Sequence, residues 1–272
     1  MLVQTYEEIA AIRMRKIRAA VLQNRDFNAG IQEIFQELIT SYRTELNKLM
    51  QKHKVKNISA LNLLPKNGKT VCVLLSANVG LYGDIIRRTY ELFKKQIAAQ
   101  LTDLVIVGRL GKALFQEDFP DRQFTPIEFS DNSVDPSALR GLIEELLKYE
   151  KVYIFFGEFN SIARQDPVMY NLYGNQSMTE DTGKPAAKYL FEPSLEHIIT
   201  FFQSELFASL FEQTLYESQL AKFAARLYAL DAATQNVKER QKKATSQMRS
   251  LKHRRGNRKQ MSTLSGIALW KK

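Results

Sequence analysis

The chain has 272 residues, of which 44% are hydrophobic and 10% aromatic, and its formal net charge is +10. This length fits one large domain or two small ones, and the aromatic content excludes a disordered chain. No run of about 18 apolar residues exists, which excludes a membrane-spanning helix. The single cysteine, Cys72, and the missing secretory leader indicate a reducing compartment.

The first predicted element is a long helix over residues 4–56, which contain no proline and only one glycine, Gly30. Apolar residues recur there at steps of three, four or five, the spacing that places them on one face of a helix. They are Ile9, Ile12, Ile17, Val21, Phe27, Ile31, Ile34, Phe35, Leu38, Tyr42, Leu46 and Leu49. We assign residues 1–60 to an N-terminal coiled-coil helix.

The middle of the chain, residues 69–175, alternates between strand and helix patterns. Strands are predicted at 70–75, 103–108, 126–129 and 151–159, with an antiparallel edge strand at 166–173. Helices are predicted at 82–100, 109–116 and 139–149, and Asp135 and Pro136 form the start signal of the last one. This alternation predicts a Rossmann-like α/β domain with a largely parallel sheet and right-handed crossovers. The polar residues 175–188 predict a loop.

The last predicted helix is the longest element. Residues 194–255 contain neither Gly nor Pro, which predicts one helix of roughly 90 Å with Ser194 as its N-cap. Two heptad-spaced rows run along it: Tyr216, Phe223, Leu230 and Val237, and, offset by four, Leu220, Leu227 and Thr234. Such a seam requires a partner helix. We predict an α/β fold in which the N- and C-terminal helices form a long antiparallel coiled coil. The α/β domain is inserted between them in the chain, and residues 193–272 are the C-terminal segment.

The net charge is concentrated in the C-terminal tail. Residues 238–272 carry 12 Lys and Arg against one acid, Glu239, or +11, whereas the other 237 residues carry 27 basic and 28 acidic side chains, or −1. Gly256 is predicted to interrupt the helix in this tail. A dense basic tail is typical of a contact with an acidic protein surface, nucleic acid or lipid head groups, although a merely solvated helix stays open.

No motif in the chain predicts catalysis, a cofactor or a metal. Residues 76–83 follow a strand and open a helix, but they are not GxGxxG and lack the Lys-Ser/Thr of a phosphate-binding loop. Gly80 and Gly83 therefore more simply relieve a tight turn. His53, His197 and His253 have no further His or Cys at metal-ligand spacing.

Three sequence segments resemble the gamma subunit of F-type ATP synthases. Asn78, Gly80, Leu81 and Gly83 match the family's Asn/Asp-Arg-Gly-Leu-x-Gly signature after the first strand. Leu190-Phe191-Glu192-Pro193-Ser194 is similar to its Phe-Glu-Pro-Ser entry to the C-terminal helix. Ala225-Arg226, Ala229 and Ala233-Thr234-Gln235-Asn236 are similar to its Ala-Arg-Met-x-Ala-Met-x-x-Ala-Thr-x-Asn segment. In outline the resemblance covers nearly the whole chain.

The resemblance implies a non-catalytic central-stalk rotor that couples ATP synthesis or hydrolysis to rotation and proton transport. The implied partners are ATPase alpha and beta subunits, an epsilon-type subunit and a membrane c-type ring, on the cytoplasmic side of the cell membrane. The residues expected inside the alpha/beta hexamer are Arg249, Lys252, Arg254, Arg255, Arg258, Lys259, Leu264, Ile267, Leu269 and Trp270. The residues expected to pack the coiled coil are Tyr216, Leu220, Phe223, Ala225, Leu227, Ala229, Leu230, Ala233 and Val237.

Departures from the family pattern keep other functions open. Family members have about 20 further N-terminal residues, Val79 replaces the usual Arg, and Tyr82 replaces a small residue or Cys. One alternative is therefore the rotor of a divergent ATPase that drives a process other than ion transport. A second is a nucleic-acid-binding protein that uses the basic tail, and a third is a Rossmann-type enzyme.

Overall fold

The computed structural model describes residues 2–42, 66–99, 102–131, 135–173 and 194–270. The predicted remainder of the N-terminal helix, 43–56, and the predicted loop 175–188 lie outside these residues. Within the described ranges, no helix combines the length and the apolar character needed to cross a bilayer.

A five-stranded sheet forms the centre of the molecule. Its strands are β1 (Thr70–Leu75), β2 (Asp103–Val107), β3 (Thr125–Ile127), β4 (Lys151–Phe159) and β5 (Gln165–Asn171), in the spatial order β3-β2-β1-β4-β5. The first four strands are parallel, and β5 pairs antiparallel with β4 at the edge. The predicted α/β fold with an antiparallel edge strand is confirmed.

Helices cover both faces of this sheet. The helices are α1 (Leu2–Ser41), α2 (Ile85–Ala99), α3 (Arg109–Asp118), α4 (Pro136–Leu146) and α5 (Leu195–Trp270). On one face, Cys72 and Leu74 of β1 pack against Phe93 of α2 and Phe115 of α3. On the other face, the alternate β1 side chains pack against α4 and α5. The alternation follows from the strand geometry, in which successive side chains point to opposite faces.

Helix α5 contributes residues between 207 and 215 to the core of the sheet. Phe207 and Phe211 of α5 are fully buried, and Leu210 and Leu215 lie in the same cluster as Val73 of β1. The sequence prediction assigned this helix to a coiled coil alone. The difference arises because α5 uses two faces at this level, an apolar face against the sheet and a face with Gln213 and Glu217 against α1.

Helices α1 and α5 run antiparallel, as predicted. Residues further along α1 contact residues that lie earlier in α5. Glu7 contacts Thr234 (3.5 Å), Arg25 contacts Glu217 (2.7 Å), and the Phe35 ring lies 5.5 Å from that of Phe202. The pair, together with the unpaired remainder of α5, is called the shaft below.

The prediction that Gly256 interrupts the C-terminal helix is wrong. Helix α5 continues through Gly256 to Trp270 and has 76 residues, which corresponds to roughly 114 Å. One glycine in a helix interior costs only about 1 kcal/mol relative to alanine, an amount that the flanking helix-forming residues offset.

Replacing Gly256 with alanine should therefore strengthen the far end of α5. A Cβ at this position would have no atom within 4 Å, so only the helix propensity changes. We expect a local gain of about 1 kcal/mol, seen as slower amide hydrogen exchange on both sides of position 256. Equal or faster exchange in Gly256→Ala would show that the helix is broken there in solution.

Candidate functional site

The paired part of the shaft buries only some of the residues of the predicted seam. Leu220 and Phe223 are buried, Thr234 is 8% exposed, and Tyr216, Leu227 and Leu230 are half-buried. Val237, in contrast, is 54% exposed, and the packing predicted for it is not observed. It lies one turn beyond Thr234, whose contact with Glu7 is already close to the start of α1.

The three small residues of the shaft lie in different surroundings. Ala225 is buried, and its Cβ lies 3.7 Å from the position that a Cβ on Gly83 would occupy. Ala229 and Ala233 are half-buried. Ala225 thus packs against the turn that follows β1, which the sequence pattern did not predict.

Polar side chains fix the register of α1 against α5. Arg25 of α1 forms an ion pair with Glu217 (2.7 Å), and Gln213 donates to the same carboxylate oxygen (3.1 Å). Asn28 of α1 donates to Gln213 (2.9 Å). Because a shift of the helices by one turn would separate these partners, the network favours a single alignment of the shaft.

Beyond the paired part, α5 continues as a single exposed helix. All residues from 235 to 264 are exposed, a length of about 45 Å. This stretch contains all six basic residues predicted to contact a partner: Arg249, Lys252, Arg254, Arg255, Arg258 and Lys259. Leu264 is 62% exposed, and the side chains of Ile267, Leu269 and Trp270 lie outside the described structure. The shaft therefore presents a bare basic helix to its surroundings.

The turn after β1, residues 76–83, attaches the sheet to the shaft. Its amide groups are held by Asp131, which accepts hydrogen bonds from the N–H groups of Asn78 (3.0 and 3.1 Å) and Val79 (3.1 Å). The Asn78 side chain donates to the carbonyl of Phe129 and accepts from the N–H of Arg109 (3.0 Å). The turn is thereby tied to the residues that follow β2 and β3.

Gly83 has a positive φ of 58°, in line with the predicted tight turn. Within this turn, the other residue with positive φ is Leu81 (φ 68°) and not Gly80. Leucine rarely adopts this conformation, since its Cβ then crowds the backbone. The carbonyls of the turn face α5, where Lys222 and Arg226 donate to them.

Lys222 closes the edge of the sheet at which a Rossmann fold binds nucleotides. It is 8% exposed and donates to the carbonyl of Ser76 (2.9 Å). Burial lowers the pKa of Lys222 to about 8, and the nearby carboxylate of Asp131 acts in the opposite direction. The cavity left between these residues measures about 20 Å³, whereas ligand pockets hold roughly 300–1,000 Å³. This cavity is too small to hold a nucleotide.

The sequence interpretation missed Lys222 and Asp131. Neither belongs to a motif, and Lys222 contacts a carbonyl 146 positions away in the chain. The only available signal was a lysine set among buried-type residues, Leu220, Phe223 and Ala224, on the predicted seam.

Comparisons with known proteins agree with this architecture. A sequence model of the ATP synthase family matches residues 2–254. The chain belongs to this family. The resemblance to gamma subunits drawn from the sequence is confirmed, since curated relatives carry the name ATP synthase gamma chain. Relatives from Desulforamulus reducens and Chlorobium phaeobacteroides are 26% and 27% identical over 252 residues, covering 85% of this chain and 80% of each relative.

Solved structures of the ATP synthase family share the fold. A chain in the central stalk and c-ring structure of the Tetrahymena thermophila mitochondrial ATP synthase superposes with a TM-score of 0.62 at 18% identity, covering 86% of this chain and all 100% of that one. A chain in a Euglena gracilis structure of OSCP, F1 and c-ring gives 0.51 at 12% identity, with 95% and 96% covered. At these identities the likeness supports the fold.

Proposed function

We propose that this chain is the non-catalytic rotor in the central stalk of an ATP synthase. The observation that carries the proposal is the shaft, in which α5 leaves its partner helix near Thr234 and continues alone. An isolated basic helix of this length has no packing of its own to stabilise it. Its exposed side chains are explained if a ring of partner subunits surrounds it.

The rotor acts on the partner subunits through contacts that differ around its circumference. We propose that the alpha and beta subunits form a hexamer around the shaft and carry the ATP chemistry. A site in that hexamer responds to rotation only where its two conformations make different contacts with the shaft. The chain thus couples ATP synthesis or hydrolysis to rotation, and rotation to proton transport.

The single-helix part of α5 is the surface that we assign to the hexamer interior. Six of its ten Lys and Arg residues form the proposed contact set, and acidic surfaces would complement these exposed cations: Arg249, Lys252, Arg254, Arg255, Arg258 and Lys259. Leu264, together with Ile267, Leu269 and Trp270, is proposed to contact an apolar bearing at the far end. Both roles are proposed because these residues follow the point at which α5 passes the start of α1.

The sheet and its helices would remain outside the hexamer. We propose that they contact an epsilon-type subunit and a membrane c-type ring, which would place the chain peripherally on the cytoplasmic side of the cell membrane. The proposed division is an N-terminal helix (1–60), an α/β domain (69–175) and a C-terminal helix (193–272). The packing of Phe207 and Phe211 on the sheet means that the α/β domain also needs the start of α5.

Ending the chain after Arg255 tests the rotor proposal. The complex should be purified through a tag on a partner subunit, from cells that carry either the full or the shortened chain. We expect the shortened chain to reduce the ratio of ATP-driven proton transport to ATP hydrolysis at least ten-fold. The reason is that the shortened α5 can no longer contact the proposed bearing. Lys242→Gln, an exposed change outside the proposed contact set, serves as the matched control.

Unchanged coupling with the shortened chain would overturn the roles assigned to residues 256–270. Failure of the full chain to co-purify with ATPase subunits would overturn the rotor proposal itself. In that case, a salt titration with duplex and single-stranded nucleic acid examines the basic helix as a nucleic-acid site, since phosphate contacts weaken steeply as salt rises.

A further inference from the structure

Two cations of α5 hold the turn 76–83 by its carbonyl oxygens. Lys222 donates to the Ser76 carbonyl (2.9 Å). Arg226, one helical turn further on, donates through Nη2 to the Gly80 carbonyl (2.9 Å) and through Nε to the Leu81 carbonyl (3.4 Å). The Arg226 guanidinium carbon also lies 4.2 Å from the centroid of the Tyr82 ring, within cation–π range. The two side chains therefore contact the turn at both of its ends.

The part of the turn held by Arg226 is strained. Leu81 has φ 68° and its side chain is 69% exposed, so no burial of that side chain compensates for the unfavourable backbone. Such a conformation persists only where the surrounding structure fixes it. Here the fixing groups are Arg226 on the carbonyl side and Asp131, which binds the N–H of Val79, on the amide side.

The two cations lie where the shaft leaves the sheet. The apolar contacts between α5 and the α/β domain continue through Phe223 and Ala225, which share a buried cluster with Tyr82 and Ile85. Lys222 and Arg226 lie within this last stretch of packing, and from residue 235 onward α5 is exposed. Arg226 thus contacts the turn just before α5 leaves the α/β domain.

We propose that Lys222 and Arg226 are positioning residues that clamp the strained turn to α5, so that the α/β domain and the shaft rotate as one body. This inference rests on the proposed rotor function. Phe223 packs against Tyr82 and holds the helix against the turn. The three directed hydrogen bonds add resistance to sliding and to rotation of the helix, because their strength depends on distance and angle. A torque applied to the α/β domain would then turn the shaft through nearly the same angle.

Hydrogen exchange on the purified full chain tests the clamp without any partner. In Arg226→Met, we expect the amides of residues 78–83 to exchange at least ten-fold faster, while those of β1 stay unchanged. Arg226→Lys keeps the charge and one hydrogen bond and should fall between Arg226→Met and wild type. Arg240→Met, an exposed cation on the same helix, is the matched control.

A second substitution separates the clamp from a general loss of stability. Leu81→Gly removes the strain, because glycine adopts positive φ readily. Combined with Arg226→Met, it should restore at least half of the lost protection in residues 78–83. The clamp is rejected if Arg226→Met exchanges like Arg240→Met, or if Leu81→Gly restores nothing.

Angular fluctuation in the assembled complex tests the mechanical role. A bead is attached to the α/β domain through Glu117→Cys, an exposed site on α3, whereas the native Cys72 is buried. With the hexamer fixed, the variance of the bead angle during pauses should at least double in Arg226→Met and stay at the wild-type value in Arg240→Met. Ile143→Val, a change at a buried core position of α4, controls for lost stability and should leave the variance unchanged.

The outcomes distinguish the two proposals. An unchanged variance in Arg226→Met, in a complex that turns normally, overturns the clamp and leaves the rotor function standing. A wild-type complex that hydrolyses ATP without turning the bead overturns the rotor function, whereas the exchange experiment on the free chain still decides whether the clamp exists.

Discussion

Gly108→Ala is expected to destabilise the chain by about 4 kcal/mol, because two independent penalties meet at this residue. Gly108 links β2 to α3 with φ 99° and ψ 145°, a backbone region that is essentially restricted to glycine. A Cβ added there would also lie 2.8 Å from the backbone nitrogen of Ala77. Because the obstacle is backbone and not the end of a flexible side chain, the strain cannot be relieved by a rotamer change.

Urea unfolding of the full chain, followed by circular dichroism, measures this effect. Gly141→Ala is the matched control, since Gly141 lies inside α4 and a Cβ there would have no atom within 4 Å. We expect this variant to be more stable than wild type by up to about 1 kcal/mol. Equal stability of the two alanine variants would mean that the chain around Gly108 relaxes freely, contrary to the close contact with Ala77.

The sheet could be predicted closely from sequence because its signals are local. Strands β1 and β4 have the predicted bounds, Thr70–Leu75 and Lys151–Phe159, since each is an apolar run buried on both sides in a parallel sheet. The start of α4 was equally clear. Asp135 accepts a hydrogen bond from the N–H of Ser137 (3.1 Å), as an N-cap residue does.

The packing of the shaft could be predicted only in part. A heptad seam indicates one partner helix, and α1 fulfils that expectation. It says nothing about residues on the other sides of the helix, and Phe207 and Phe211 use those sides to pack on the sheet. Such two-sided packing depends on contacts between distant parts of the chain, which the spacing of residues along one helix does not specify.

The contacts of Lys222 and Arg226 also depend on distant parts of the chain and could not be predicted from sequence. Arg226 belongs to a segment that resembles the gamma family, whereas Lys222 belongs to no motif. Both bind backbone carbonyls, which every residue possesses, so the sequence of the turn gives no sign of its partners. Only the exposed leucine at positive φ marks the turn as strained, and φ is a property of the structure.

The stability of the chain should rise at alkaline pH through Lys222. In the unfolded chain the pKa of this lysine is the ordinary 10.5, and in the folded chain burial lowers it to about 8. Below pH 8 both states bind the proton, so the folded state bears the full penalty of a buried charge, about 3 kcal/mol. Between the two values the folded lysine is neutral while the unfolded one still binds its proton, so stability increases with pH.

Lys222→Met isolates this effect because it removes the titrating group and keeps an unbranched side chain. The free energy of unfolding of wild type minus that of Lys222→Met should become more positive by about 3 kcal/mol between pH 7 and pH 10.5. At pH 7 the variant should be the more stable protein by 1–2 kcal/mol, roughly, because it avoids the buried charge but leaves the Ser76 carbonyl without its donor. Lys242→Met, an exposed change on the same helix, controls for the loss of a positive charge as such. A difference between wild type and Lys222→Met that does not vary with pH would show that Lys222 is hydrated in solution, and the edge of the sheet would then be open to water.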